Sequence, residues 1–180
     1  MISRQIWKPY VWTVMLGLCL SGWFGCGYTL VGVPPSGSAT RIAIVVPPVL
    51  NQTREPGLEH RMTAALRRAV MQHPRLYLAS DVLASHHLQG TVRHFQVFAV
   101  SFDESDNVVQ YRIESATRIR LVQRDAKAPA LEQEISAWAE YLVSPSGSVR
   151  ENVAARTAAI YRLAEQFADK CTALIDVALL

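Results

Sequence analysis

The sequence predicts an α+β fold: a two-layer sandwich in which two helices pack on one face of a mixed, mostly antiparallel sheet of four to five strands. Three observations predict it. Residues 88–143 alternate apolar and polar side chains, broken by only two turn-like clusters. Two other stretches, from Leu58 to Pro74 and from Val149 to Ala178, place apolar residues at helical spacing. A β-branched run, Ile42-Ala43-Ile44-Val45-Val46, stands before the first helical stretch, so a strand and a crossover helix precede the alternating region.

The amino end reads as an export signal. Arg4 and Lys8 supply positive charge, Val11 to Leu20 is apolar, and Ser21, Gly22 and Gly25 lead to Cys26. A cysteine directly after the cleavage site points to a bacterial lipoprotein, with residues 1–25 removed and Cys26 acylated. Each buried methylene of such an anchor is worth about 0.8 kcal/mol. Trp23 and Phe24 depart from the usual leucine and small residue at those places. A retained membrane helix or an ordinary signal peptide therefore stays open, since Val11 to Val31 is uncharged, although Gly17, Gly22, Gly25 and Gly27 interrupt it. Residues 26–40, with Gly32, Pro34, Pro35, Ser36, Gly37 and Ser38, read as a flexible tether, and residues 41–180 as the folded domain.

Within that domain, Pro47 and Pro48 end the first strand. A polar loop from Asn51 to Gly57 leads into the first helix, with Pro56 at its start and Glu59 in its first turn. Leu58, Met62, Ala65, Leu66 and Ala69 share one face, and Pro74 stops the helix. Arg75 to Ala79 makes a short strand. Leu88 to Phe102 is the first long strand, and its alternation slips near Arg93 and His94, the signature of a β-bulge. Glu104 to Asn107 forms a hairpin loop. In Val109 to Arg124, the residues Val109, Tyr111, Ile113, Thr117, Ile119 and Leu121 face one way. Gln110, Arg112, Glu114, Arg118, Arg120 and Arg124 face the other. Leu131 to Val143 completes the meander. Ser148 and Glu151 form a capping box, and the last helix from Val149 to Ala178 would span about 45 Å at 1.5 Å per residue.

Composition narrows the function. The 180 residues carry a formal charge of +3, of which Arg4 and Lys8 supply two, so the part after Cys26 is nearly neutral. That balance gives no footing for nucleic-acid binding. The three cysteines are Cys19, Cys26 and Cys171. Removal of the first and acylation of the second leave Cys171 alone, so no disulfide framework is expected.

From Cys26-Gly27-Tyr28-Thr29-Leu30, through Ile42-Ala43-Ile44-Val45-Val46-Pro47-Pro48, to Asn51-Gln52-Thr53-Arg54-Glu55-Pro56-Gly57-Leu58-Glu59, the chain resembles the LPS-assembly lipoprotein LptE (RlpB) family. The resemblance implies a non-enzymatic lipoprotein of the outer membrane, facing the periplasm. It would sit inside the LptD β-barrel as a plug and assembly partner and help move lipopolysaccharide to the outer leaflet. No cofactor is implied beyond the acyl chains on Cys26. Gly27, next to the anchor cysteine, is compatible with outer-membrane sorting.

The residues supply no catalytic set. His86, His87 and His94 fit no standard zinc spacing, and Ser146-Gly147-Ser148 is not a nucleophile elbow. Asp103, Glu104 and Asp106 lack the length of a calcium loop. The constellation with chemical content is Arg112, Arg118, Arg120 and Arg124, guanidinium groups that suit bidentate contact with phosphate. This face is expected to touch lipopolysaccharide or acidic groups of the barrel. The same arginines can instead form a solvated face paired with Glu114, Glu132, Glu134 and Glu140. Two other readings remain: a generic envelope lipoprotein that binds another protein, such as peptidoglycan machinery, and a lipid-carrying module, which would need an enclosed apolar cavity.

Overall fold

A computed structural model describes residues 41–144 and 146–179. The signal segment, the acylation at Cys26 and the tether lie outside the described residues. The elements are β1 (Ile42–Val45), β2 (Leu50–Asn51), α1 (Leu58–Gln72), β3 (Leu76–Leu78), β4 (His86–Phe102), β5 (Val108–Gln123), β6 (Leu131–Leu142) and α2 (Val149–Ala178). The sheet runs β3-β1-β4-β5-β6, with β2 paired to β4 off this path. β1 lies parallel to both β3 and β4, and β4, β5 and β6 form an antiparallel meander. The predicted α+β sandwich is thus the fold observed, with an open, mixed sheet.

One short strand was not legible in the sequence. After β1, Pro47 and Pro48 cannot donate to a ladder, and α1 takes over the freed groups. Arg67 donates from Nε and Nη2 to the Val46 carbonyl at 3.0 and 2.8 Å, and the Val49 N–H donates to Thr63 Oγ1 at 2.9 Å. The chain then rejoins the sheet as β2, where Leu50 and Asn51 pair with Thr91 and Val92. Val49 folds over Gly90, where a Cβ would lie 3.2 Å from a Val49 methyl. The predicted bulge is also present: Val92 pairs with Thr117 and His94 with Ala116, which leaves Arg93 unpaired between them.

The alternation read from β5 and β6 is the alternation seen. Ile113, Thr117, Ile119 and Leu121, with Ile135, Ala137 and Tyr141, are buried. The apolar residues among them join Leu58, Met62, Leu66 and Val70 of α1 and Ile160, Leu163, Phe167, Cys171 and Ile175 of α2 in one core. Polar clips hold the layers together. Arg156 of α2 pairs with Glu55 at 2.6 Å, and His73 and Arg75 reach Asp176 at 2.9 and 3.7 Å. The capping box is formed, with Glu151 N–H donating to Ser148 Oγ and Ser148 N–H to the Glu151 carboxylate.

Two core hydroxyls stand out. Ser115 Oγ and Thr117 Oγ1 are buried with no hydrogen-bond partner among the described residues. An unpaired buried hydroxyl costs about 1–3 kcal/mol. Thr117→Val keeps the shape and removes the orphan, so it is expected to raise the unfolding free energy by about 1 kcal/mol, read as a higher urea midpoint at unchanged slope.

Candidate functional site

The polar side of the meander carries the candidate site, because period-two alternation sends the arginines of β5 away from the core. Arg112, Arg118 and Arg120 stand on β5. Arg124 lies one residue past the strand and is otherwise engaged: its Nε donates to the Ala84 carbonyl at 2.9 Å and its Nη2 to the Asp81 carbonyl. It anchors the turn between β3 and β4. Arg112 is also committed, donating from Nε and Nη2 to Glu140 at 2.9 and 2.6 Å with its guanidinium 4.9 Å from the Trp138 ring centre.

Arg118 and Arg120 remain. Both pair with a single carboxylate, Glu132, with Arg120 Nε at 3.4 Å from it and Arg118 as the closer partner. Glu134, which faces Arg118 across the β5–β6 ladder, makes no ion pair among the described residues. The expected glutamate pairing is therefore realised in part: two guanidinium groups share one negative charge. Both arginines are about half exposed. They line a shallow depression of about 260 Å³ together with Gln52, Gln89, Thr91 and Arg93. Three guanidinium groups thus converge on one polar hollow.

Arg93 is the residue that sequence reasoning missed. The slip in alternation at Arg93 and His94 marked the bulge, but whether the bulged residue joins β5's arginines depends on the cross-strand register. That register places Thr91 opposite Arg118 and Gln89 opposite Arg120, which brings Arg93 to the same hollow.

Chemistry elsewhere is structural. Burial pushes the Cys171 thiol up to about 12, so it stays protonated and unreactive. Burial also lowers the affinity of His86 for a proton. In the β4–β5 loop, the Asn107 and Ser105 main-chain N–H groups and the Asn107 side chain hold the Asp103 carboxyl below its usual range. Among the described residues no group of three His, Cys, Asp or Glu side chains is placed to hold a metal ion, and no helix is long and apolar enough to cross a membrane.

The open, mixed sheet with two helices on its apolar side defines a domain of the α+β sandwich class. Residues 43–173 match the LptE family, described as lipopolysaccharide-assembly, and the chain belongs to that family. No curated protein matches it. Among solved structures, it is similar to a candidate lipoprotein from Caulobacter crescentus CB15, at 15% identity and a TM-score of 0.52, over 76% of this chain and 88% of that one. It is similar to protein CT253 from Chlamydia trachomatis at 10% identity and a TM-score of 0.55, over 76% of this chain and 96% of that one. Protein XCC0632 from Xanthomonas campestris matches at 10% identity and a TM-score of 0.54, over 80% of this chain and 90% of that one. At these identities the likeness is one of fold.

Proposed function

We propose that this protein is an outer-membrane lipoprotein, anchored through acyl chains on Cys26 and facing the periplasm. It plugs and helps assemble an LptD-like β-barrel that delivers lipopolysaccharide to the outer leaflet. Membership of the lipopolysaccharide-assembly family over residues 43–173 carries this reading. The order of Arg4, Lys8, the apolar run and Cys26 supports the anchor. The role is one of assembly rather than catalysis, as the description of the family implies.

Within that role, Arg93, Arg118 and Arg120 contact phosphates of lipopolysaccharide. A phosphate is polyanionic and accepts paired N–H donors, and two of these arginines share one carboxylate that a phosphate can displace. Arg112 and Arg124 shape the face while held by Glu140 and by the turn at Asp81–Ala84. The double substitution Arg118→Glu/Arg120→Glu is expected to weaken lipopolysaccharide binding in vitro at least tenfold. Glu132→Gln, which frees both guanidinium groups, is expected to strengthen it. Unchanged binding in both variants would overturn the arginine assignment.

A further inference from the structure

The two long borders of the meander are treated differently. β6 has its outer main chain covered by α2. Arg162 donates to the Glu140 carbonyl at 2.7 Å, Gln166 accepts from the Trp138 N–H at 2.8 Å, and Lys170 donates to the Ser136 carbonyl at 2.8 Å. Helix residues four apart rise about 6 Å, close to the rise of two strand residues, so three successive helix side chains close three successive strand positions. This border is sealed against further pairing.

The opposite border, on β4, is not. β1 and β2 occupy β4 only as far as Val92, where the Gln52 N–H donates to the Val92 carbonyl. From His94 to Phe102, no other strand or side chain among the described residues bonds that side of β4. Four large apolar side chains are exposed there, Val97 40%, Phe98 41%, Val100 43% and Phe102 55%, among the polar His94, Gln96 and Ser101. Unpaired N–H and C=O groups beside apolar side chains match one kind of partner, another extended strand. The ends of the open stretch differ in charge. Arg93 lies at its beginning, and the loop carrying Asp103, Glu104 and Asp106 lies at its end.

We infer that the His94–Phe102 border of β4 receives an extended, apolar segment of a partner protein, running antiparallel, with a basic residue at its amino end and an acidic residue at its carboxyl end. The amino end meets the acidic loop and the carboxyl end meets Arg93. A second copy of β4 has the same order of charges, so self-association of the chain is the outcome that would assign this border to it. The proposal deepens the barrel reading, and it rests on that reading only for which protein donates the segment.

The test uses the full chain in detergent and a synthetic peptide as probe: lysine at the amino end, alternating valine and threonine, glutamate at the carboxyl end. Three comparison peptides carry N-methyl groups on one set of alternate amides, N-methyl groups on the other set, or the two charges exchanged. The native peptide is expected to bind saturably. N-methylation of the inward-facing set and charge exchange should each weaken binding about tenfold or more. Phe98→Lys/Val100→Lys should abolish binding while circular dichroism shows the fold retained. Absent binding, or indifference to both N-methylated peptides, would overturn the inference and leave barrel co-purification unaffected. Self-association of the chain that Phe98→Lys/Val100→Lys abolishes would also overturn it, in favour of a second copy.

Discussion

Phe167→Ala is expected to destabilise the domain by about 3–5 kcal/mol, the range for removing a large aromatic side chain from a packed core. Phe167 is fully buried on the inner stripe of α2, among the largest side chains enclosed between helices and sheet. The ring leaves a void that the sheet cannot close, because the β4–β5–β6 ladder is pinned by an unbroken β5–β6 register from Gln110↔Leu142 to Leu121↔Leu131. For a domain of this size the loss corresponds to a melting temperature lower on the order of 10–15 °C. Differential scanning fluorimetry reads it. A shift of only a few degrees would mean that α2 re-seats on the sheet, and that the core is less tightly packed than described. Phe167→Leu, which refills most of the volume, is expected to recover more than half of the loss.

The second large effect is at Asn51. Its Nδ2 donates to the Glu55 carbonyl at 2.7 Å and to the Glu59 carboxylate at 2.9 Å, and its Oδ1 accepts from the Thr53 N–H at 2.9 Å and the Thr53 hydroxyl at 2.7 Å. One side chain therefore folds the whole loop between β2 and α1. Asn51→Ala removes all four bonds, at about 1 kcal/mol each, for an expected loss of about 3–4 kcal/mol. Asn51→Asp is expected to do no better, since it keeps the acceptor, loses both donors and sets a second carboxylate against Glu59. The Asn51 substitution has a pH signature. The Glu59 main-chain N–H and the Asn51 amide lower the affinity of the Glu59 carboxylate for a proton. A carboxylate held below its unfolded value contributes stability above that value and loses it as pH falls through the folded value. Native protein should lose this contribution on acidification, and Asn51→Ala should show a shallower loss over the same interval in pH-dependent urea melts.

This loop also shows what the sequence could and could not reveal. The run from Asn51 to Glu59 carried the family resemblance, and in the structure it is a folding device. Asn51, Thr53 and Glu59 tie the loop, Glu55 clips it to Arg156 of α2, Gly57 turns with φ +73, and Leu58 is fully buried. A distinctive motif here identifies the family without marking where it acts. The meander was legible because β5, β6 and β4 as far as Val92 each have one wet face, and alternation encodes that directly. The bulge at Arg93 was legible for the same reason.

The parts that escaped are those decided by tertiary partners. β2 exists because Arg67 and Thr63 occupy groups that Pro47 and Pro48 leave behind. Arg124 had the spacing of the other arginines, but the carbonyls that hold it belong to a turn some forty residues earlier. The convergence of Arg93 with Arg118 and Arg120 follows from cross-strand register, and the sealing of β6 by Arg162, Gln166 and Lys170 follows from how α2 lies along it. None of these contacts is local, so no window of sequence contains them.

The central claim is that this lipopolysaccharide-assembly family member works as the partner of an outer-membrane β-barrel. Co-purification from detergent-solubilised outer membrane, with the full chain tagged at its carboxyl end, tests it most directly. A large β-barrel recovered in stoichiometric amount after stringent washing is the predicted result. A folded, acylated chain recovered without a barrel would contradict it and make a different envelope protein the partner.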